Sequence, residues 1–236
     1  MKTALGVIIS VALISTVHGA VVIDDFSDPG SSVVVAIGLT SPDPTLVKST
    51  GAGILGGERD VLLDVAGAAD LDSFIGTIGA GKLSFNSNSP GTVLTLQYDG
   101  MDSDIVGPPA GLVNAEGLGG VDLLAMGSYL YLNFGRIDGG GPQTTGLSIV
   151  VSDGSNTSVY SGLILDSAVP MTYQALFSAF SNPSVLSAAT SIELVLNPQG
   201  VADVDFVLTE IGVPEPATLG LLGLGSLILI GRRRRA

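Results

Sequence analysis

The sequence predicts an all-β fold, an antiparallel β-sandwich flanked by an N-terminal signal helix and a C-terminal transmembrane helix. The first observation is that the middle of the chain consists of short β-branched and apolar runs, punctuated by Gly, Pro, Asn and Asp about every ten residues. The second is that helical patterning there is confined to the segments around Pro183–Ala189 and Ala66–Phe74, which argues against βαβ units. The third is composition: 33 glycines indicate many turns, and the absence of cysteine requires a core that folds without disulfides.

The N-terminus has the layout of a secretory signal peptide. Met1 and Lys2 form a short positive start, Ala4–Val17 is almost wholly apolar, and the small residues Gly19 and Ala20 follow. This order predicts cleavage after Gly19 or Ala20. Residues 1–20 are therefore assigned to a segment that the mature protein lacks.

The predicted β-sandwich domain spans residues 21–212. Alternation is clearest in Thr92–Tyr98, where Leu94, Leu96 and Tyr98 are expected to share one face. Turn residues at 88–91 and 153–156 predict two antiparallel hairpins. The predicted strands are Val33–Leu39, Asp60–Val65, Lys82–Asn86, Thr92–Tyr98, Tyr129–Phe134, Leu147–Ser152, Ser158–Leu165, Ser191–Leu196 and Asp203–Ile211.

Residues 213–236 form a tripartite tail. Val213-Pro214-Glu215-Pro216-Ala217 precedes an uncharged run, Thr218–Ile230, and after Gly231 the chain has four consecutive arginines, Arg232, Arg233, Arg234 and Arg235. A helix over residues 217–231 would span roughly 22 Å, shorter than the roughly 30 Å of a hydrocarbon core, although arginine stems reach several ångströms further. The pattern predicts a membrane stop, and the positive-inside rule places the arginines in the cytoplasm and the domain outside.

This tail resembles the PEP-CTERM sorting signal of exported bacterial proteins. The resemblance is carried by the Pro-Glu-Pro start, the Gly- and Leu-rich apolar run and the arginine cluster, in that order, over about a tenth of the chain. It implies recognition by a membrane-embedded protease of the exosortase type and cleavage near Pro214-Glu215-Pro216. It further implies release of the domain to the cell surface or exterior of a host that makes extracellular polysaccharide.

The middle domain resembles the galactose-binding-like jelly roll. The resemblance is carried by the opening Val22–Asp28, by Gly56–Asp60, by Phe177–Phe180 with the strand that follows, and by the closing Ala202–Val207. It implies that the first and last strands lie side by side, near loops where this family often holds a structural calcium. The expected metal ligands are Asp24, Asp25, Asp203 and Asp205, and residues on a solvated acidic surface are the alternative.

Charge limits the partners of the domain. Between residues 20 and 212 there are four bases, Lys48, Arg59, Lys82 and Arg136, against 21 acids, which gives a formal charge of −17. Such a surface repels phosphate backbones, so nucleic acid is not expected as a partner. The cluster at Asp99–Asp104 lacks the closing glutamate of an EF-hand and is interpreted as a solvated turn.

Catalysis has few candidate groups. The single histidine, His18, lies in the predicted signal peptide, and without cysteine the mature domain lacks nucleophile triads and the usual zinc ligands. A glycan hydrolase needs only two suitably spaced carboxyl groups, and the 21 acids of the domain are enough to supply them. The five tyrosines are interpreted as half-buried strand residues, and the alternative is that they form stacking platforms for sugars. Arg59 is interpreted as part of a structural ion pair, and the alternative is that it contacts a sugar.

These observations predict a non-enzymatic protein exported to the cell surface or extracellular matrix and associated with exopolysaccharide or biofilm. Its expected partners are the processing protease, the membrane through a transient anchor, and exopolysaccharide. A calcium-assisted, lectin-like glycan-binding module and a carboxylate-dependent glycan hydrolase are the two alternatives.

Overall fold

The computed structural model describes residues 20–28, 45–65, 75–87, 91–101, 117–139 and 144–215. Twelve β-strands, one single-turn α-helix and three 3-10 turns lie in these residues. The strands are β1 (Ala20–Asp24), β2 (Thr45–Thr50), β3 (Glu58–Val65), β4 (Ile75–Gly79), β5 (Lys82–Ser87), β6 (Thr92–Tyr98), β7 (Tyr129–Asp138), β8 (Thr144–Ser152), β9 (Thr157–Leu165), β10 (Met171–Leu176), β11 (Ser191–Leu196) and β12 (Val204–Pro214). The helix is α1 (Leu123–Met126), and the 3-10 turns are Leu55–Gly57, Phe177–Ala179 and Pro183–Ala188.

The strands form two six-stranded sheets. Sheet A has the order β10-β7-β12-β5-β4, and β1 pairs with the C-terminal end of β12 beside β5. Sheet B has the order β2-β3-β6-β11-β8-β9. Every pairing between these strands is antiparallel, so the sandwich predicted from the sequence is confirmed.

The order of pairing defines a jelly roll. β5 pairs with β12 in sheet A, β6 with β11 in sheet B, β7 with β10 in sheet A, and β8 with β9 in sheet B. The chain from β5 to β12 is thus one long folded ribbon whose tip is the β8–β9 hairpin. Because its successive strand pairs fall in alternate sheets, the ribbon wraps around a single core, which is the jelly-roll arrangement.

The hydrophobic core lies between the two sheets. Phe85 and Phe206 of sheet A stack with their ring centroids 4.8 Å apart. Leu94, Leu96 and Tyr98 of sheet B are each no more than 1% exposed, which confirms that they share the face predicted by strand alternation. Burial of apolar side chains of this size contributes about 1.5–3 kcal/mol each, so the core is the main source of stability.

Most predicted strands are confirmed. β6 and β11 have the predicted bounds, and β3, β5, β7, β8 and β9 extend theirs by one to four residues at an end. β12 begins one residue later than predicted and ends three residues later, and a 3-10 turn occupies Pro183–Ala188. The expected strand Val33–Leu39 and the helical segment Ala66–Phe74 lie outside the described residues. Four strands, β1, β2, β4 and β10, and the helix α1 are absent from the predicted set, although the jelly-roll resemblance implied a first strand beside the last one.

One of the two predicted hairpins is wrong. The Asp153–Asn156 turn does join the paired strands β8 and β9, with the Asp153 carboxylate accepting from the Asn156 amide at 2.7 Å. Residues 88–91, however, connect β5 of sheet A to β6 of sheet B. Turn-forming residues specify a chain reversal, but they do not specify whether the next strand enters the same sheet, and in a jelly roll it crosses to the other.

The predicted membrane segments lie almost wholly beyond the described residues. Of the expected signal peptide only Ala20 is described, and of the tail only Val213, Pro214 and Glu215. In the described ranges there is no helix with the length and apolarity needed to cross a membrane.

Candidate functional site

The start of the predicted sorting signal belongs to the folded domain. Val213 and Pro214 are the last two residues of β12, Val213 is completely buried, and Glu215 is half-buried. The expected domain boundary after Gly212 therefore falls inside a strand. Pro216 and Arg232, Arg233, Arg234 and Arg235 lie outside the described residues.

The other end of the domain holds these residues in place. In β1, Ala20 is paired with Pro214 and Val21 with Val213, whereas the pairing of β7 to this part of β12 stops at Gly212. Past that point Gly127, which follows α1, packs so closely that a Cβ there would overlap the Pro214 carbonyl and lie 2.7 Å from Val213 Cγ1. We call these five residues, Ala20, Val21, Gly127, Val213 and Pro214, the terminal clamp.

The terminal clamp brings the two predicted processing sites together. Directly opposed residues of an antiparallel pair have Cα atoms about 4.5–5.5 Å apart, so Ala20, at the expected signal-peptide cut, is an immediate neighbour of Pro214. Pro214 has no N–H to donate to the ladder, and it is the last residue of β12, past the point where β7 pairs with this strand. The same proline thus ends the fold and begins the Pro-Glu-Pro sequence.

Asp24, one of the four expected metal ligands, is completely buried and bonded within the protein. Its Oδ2 forms an ion pair with Arg59 and accepts from the Tyr98 hydroxyl at 2.9 Å, and its Oδ1 accepts from the Phe26 amide at 2.8 Å. Burial raises the pKa of the Asp24 carboxyl, and the Arg59 guanidinium opposes that rise. Since Arg59 is itself buried and lies 5.2 Å from the Phe26 ring centroid, its interpretation as a structural ion pair is confirmed.

The four expected metal ligands do not converge. β1 and β12 are neighbours as predicted, but their antiparallel register sets Asp24 opposite Ile211, while Asp205 pairs with Asn86 and Asp138. Six residues of strand separate Ile211 from Asp205, which is about 20 Å. The expectation that Asp24, Asp25, Asp203 and Asp205 share one cation is therefore corrected, because side-by-side strands place these residues at opposite ends of β12.

The remaining three aspartates have separate surroundings. Asp25 Oδ1 accepts from the Ser27 amide at 2.9 Å, and the hydrogen bonds from the Ser27 side chain and backbone lower the pKa of Asp25. Asp203 has a left-handed backbone, φ 59°, in the turn before β12. Burial raises the pKa of Asp205, while nearby Arg136 lowers it.

A different set of carboxylates does come together. Glu58 and Asp60 of β3 and Asp99, which follows β6, are all at least 96% buried and have carboxylate oxygens within 4.8 Å of one another. Lys48 Nζ lies 2.6 Å from Glu58, and Gln97 Nε2 donates to Asp99 Oδ2 at 3.1 Å. The cluster offers three of the six to eight oxygens that Ca²⁺ binds, and Lys48 competes with a cation for it. We call these three residues the acidic cluster.

The acidic cluster is positioned by strand geometry and by glycine. Glu58 and Asp60 project from the same face of β3, and Asp60 is paired with Gln97, two residues before Asp99. Gly117 packs so tightly on the Asp99 backbone that no side chain fits there. The sequence contains the Glu-x-Asp spacing, but only the pairing of β3 with β6 shows that Asp99 joins it, and the interpretation of Asp99 as a solvated turn residue is wrong.

None of the five tyrosines is exposed. Tyr98 is completely buried, Tyr131 bonds to Glu210 on the outer face of sheet A, and the hydroxyls of Tyr160 and Tyr173 are 2.7 Å apart. Burial raises the pKa values of Tyr131 and Tyr173. All five are strand residues as predicted, but only Tyr129, Tyr160 and Tyr173 are half-buried, because Tyr98 and Tyr131 are buried. None presents the flat, exposed ring that a stacking platform for a sugar requires.

Comparison with known proteins identifies the tail. Residues 212–235 match the PEP-CTERM protein-sorting motif, so the chain carries this motif, which implies an exported protein processed by an exosortase. Curated protein sequences contain no match to the chain. The matched segment begins within β12 and includes Val213 and Pro214 of the terminal clamp.

Several solved structures are similar in part. The family 11 carbohydrate-binding module of a Clostridium thermocellum cellulosomal cellulase is 11% identical, with 84% of this chain and 95% of that chain covered and a TM-score of 0.38. An arabinose-bound α-L-arabinofuranosidase is 10% identical, with 84% of this chain and 26% of that chain covered and a TM-score of 0.39. The enzymatically active domain of tailspike protein 4 of Bacteriophage CBA120 is 14% identical, with 73% of this chain and 19% of that chain covered and a TM-score of 0.33. The jelly-roll assignment rests on the strand pairing of this chain itself.

Proposed function

We propose that this chain is an exported, non-catalytic jelly-roll protein, held briefly in the membrane by residues 217–235 and then processed at its PEP-CTERM motif. The mature domain is placed at the cell surface or in the extracellular matrix. The observation that carries the proposal is the motif match at residues 212–235, at the end of a folded domain preceded by a predicted signal peptide.

The positions of the chain ends support this topology. A precursor with both ends in the membrane is accommodated most simply by a domain whose two ends leave it at the same place. Ala20 and Pro214 are cross-strand partners, so the predicted signal peptide and the predicted anchor leave from adjacent positions. A domain with its termini at opposite poles would span tens of ångströms and strain this arrangement.

The proposal is tested in host cells with and without the gene of the processing protease. The domain, followed by antibody, is expected in the exterior fraction of the first strain and in the membrane fraction of the second. Equal amounts in the exterior of both strains would refute processing as the route of release. A secreted variant that ends at Glu215 is the matched control, because it reaches the exterior in both strains.

Association with exopolysaccharide is the finer part of the proposal. The acidic domain stays soluble through its net charge and offers hydroxyl and amide groups to a hydrated matrix. The mature form is expected to co-sediment with extracellular polysaccharide from the host and to be released when that polysaccharide is digested. Recovery in the free medium, whether or not polysaccharide is present, would refute it.

Calcium-assisted glycan binding is a second candidate function. The acidic cluster is the observation that favours it, because three converging carboxylates can bind a hard cation. A glycan array probed with the protein in Ca²⁺ and in EDTA tests it. Binding in Ca²⁺ that EDTA abolishes supports the candidate, and identical arrays contradict it.

Glycan hydrolysis is not favoured by any observation in the described residues. Its two carboxyl groups must stand roughly 5–10 Å apart across a cleft that admits substrate. The carboxylates of the acidic cluster are closer together and buried. Release of reducing sugar from the host's exopolysaccharide by the purified protein would reinstate this alternative.

A further inference from the structure

The first two residues of the sorting motif serve as structural residues of the domain. Val213 has no exposed surface, and its partner is Val21 of β1. Pro214 is paired with Ala20, and Gly127 packs on both motif residues from the side of α1. Gly212, one residue earlier, is paired with β7 as well as with β1, whereas Val213 and Pro214 are paired with β1 alone. The position of these two residues therefore depends on β1 and Gly127 more than that of the preceding residues of β12.

A protease and a sheet compete for the same backbone groups. Peptides are commonly recognised in extended form through their main-chain N–H and C=O groups, with side chains inserted in pockets. A residue that is paired in a sheet and buried offers neither its main-chain groups nor its side chain. Cleavage of such a segment follows the population of chains in which it has opened, provided that opening is fast relative to cleavage.

From this competition we infer that the terminal clamp gates processing: Val213 and Pro214 reach the protease only in chains in which β1 and Gly127 have released the end of β12. The inference rests on the proposed function, because it concerns the same processing event. It assigns a role in processing to Val21 and Gly127, which lie far from the motif in sequence, and to Ala20 where the signal peptide is cut after Gly19. The rate of processing is therefore set in part by the stability of the domain end.

Gly127→Ala tests the gate without changing the motif or the signal peptide. Gly127 has an extended backbone, φ −177°, which alanine adopts readily, so the effect of the methyl group is its overlap with Pro214 and Val213. Gly135→Ala is the matched control, because its Cβ would make an ordinary 3.5 Å contact with Val207. Pulse-chase labelling in the native host is expected to show processing of Gly127→Ala about fivefold faster than wild type, with Gly135→Ala unchanged.

An insertion provides a second, independent test. Four residues, Gly-Ser-Gly-Ser, placed between Gly212 and Val213 move the Val-Pro-Glu-Pro sequence and everything after it off the sheet. The same insert between Gly154 and Ser155, in the exposed turn, is the control. The first insertion is expected to speed processing to a similar degree and the second to leave it unchanged. This test remains informative if Gly127→Ala fails to accumulate.

The outcomes separate the gate from the proposed function. Wild-type protein that is processed at the same rate as Gly127→Ala and as the Gly212–Val213 insertion would overturn the gate and leave processing at the motif intact. Wild-type protein that keeps its arginines in every fraction would overturn the proposed function itself. Faster processing of both altered chains, with both controls unchanged, supports the gate.

Discussion

Removal of the Asp24 carboxylate is expected to be among the most damaging single changes in the domain. Asp24→Ala leaves the Arg59 guanidinium buried between the sheets without its ionic partner, and it also removes the acceptor of the Phe26 amide. Breaking a buried pair in this way costs about 3–5 kcal/mol. Phe26 has a left-handed backbone, φ 53°, which the lost hydrogen bond helps to hold, so the upper part of that range is expected.

The assay is thermal unfolding of the purified protein. For a domain of about 190 residues, a loss of 1 kcal/mol lowers Tm by about 2–4 °C, so a loss of about 4–5 kcal/mol in Asp24→Ala is expected to lower it by about 8–20 °C. Tyr98→Phe is the matched control: it removes only one hydrogen bond to Asp24, at a cost of about 0.5–1.5 kcal/mol.

A double substitution separates the missing pair from general damage at the site. Asp24→Leu with Arg59→Met replaces both charges by apolar side chains and is expected to recover much of the stability that Asp24→Ala loses, because a buried ion pair is often replaceable as a unit. An Asp24→Ala protein that melts within about 2 °C of wild type would refute the reasoning. So would a double variant no more stable than Asp24→Ala.

Three further predictions concern the anchor, the acidic cluster and a half-buried carboxyl. Replacing Arg232–Arg235 by Ser is expected to let the precursor slip through the membrane, since each arginine resists insertion by about 2.5–3.5 kcal/mol; a variant that fractionates with membranes and is processed at the normal rate would contradict this. Calcium at about a hundredfold above Kd is expected to stabilise the domain by about 2.7 kcal/mol, an effect that Asp60→Asn abolishes and Asp205→Asn retains; an unchanged wild-type Tm would contradict a calcium site in the acidic cluster. Burial raises the pKa of Glu193, so stability from this group is complete below its unfolded-state pKa and is lost as the pH rises through the folded-state value. Glu193→Gln is therefore expected to raise Tm relative to wild type at neutral pH but not near pH 3, and melting scans that show the same shift at both would refute it.

The strands that the sequence predicts best are those buried within the sandwich. β6 and β11 lie inside sheet B, where each has a partner on both sides, and their side chains alternate between core and outer face. The four strands that were missed, β1, β2, β4 and β10, each pair with a single neighbour. An edge strand has one partner and a smaller buried face, so its composition is less constrained and its pattern is weaker.

The site was less predictable than the fold because it depends on register. The opening and closing segments were expected to be neighbours, and they are, but whether Asp24 meets Asp205 or Ile211 depends on strand direction and offset. The same applies to the acidic cluster, where Asp99 joins Glu58 and Asp60 only through the β3–β6 pairing. Composition and alternation identify strands, whereas register is set by long-range packing and turn geometry.

The sorting motif was found from sequence, but its structural role was not. Pro-Glu-Pro indicates an extended, hinge-like segment, and the natural expectation is a linker outside the domain. Val213 instead fills a core position opposite Val21, and the last strand of the sandwich continues to Pro214. An apolar residue before a proline is compatible with a linker and with the end of a strand. Val213 and Pro214 form a strand because β1 is there to pair with them.

The central claim, that the motif is processed where the folded domain ends, is tested most directly by the intact mass of the protein recovered from the surface of the native host. The account predicts a chain that begins near Ala20 and ends between Pro214 and Ala217, without Arg232–Arg235. A released form that still carries the arginines would contradict it, and so would one that ends before Gly212, inside the paired part of β12.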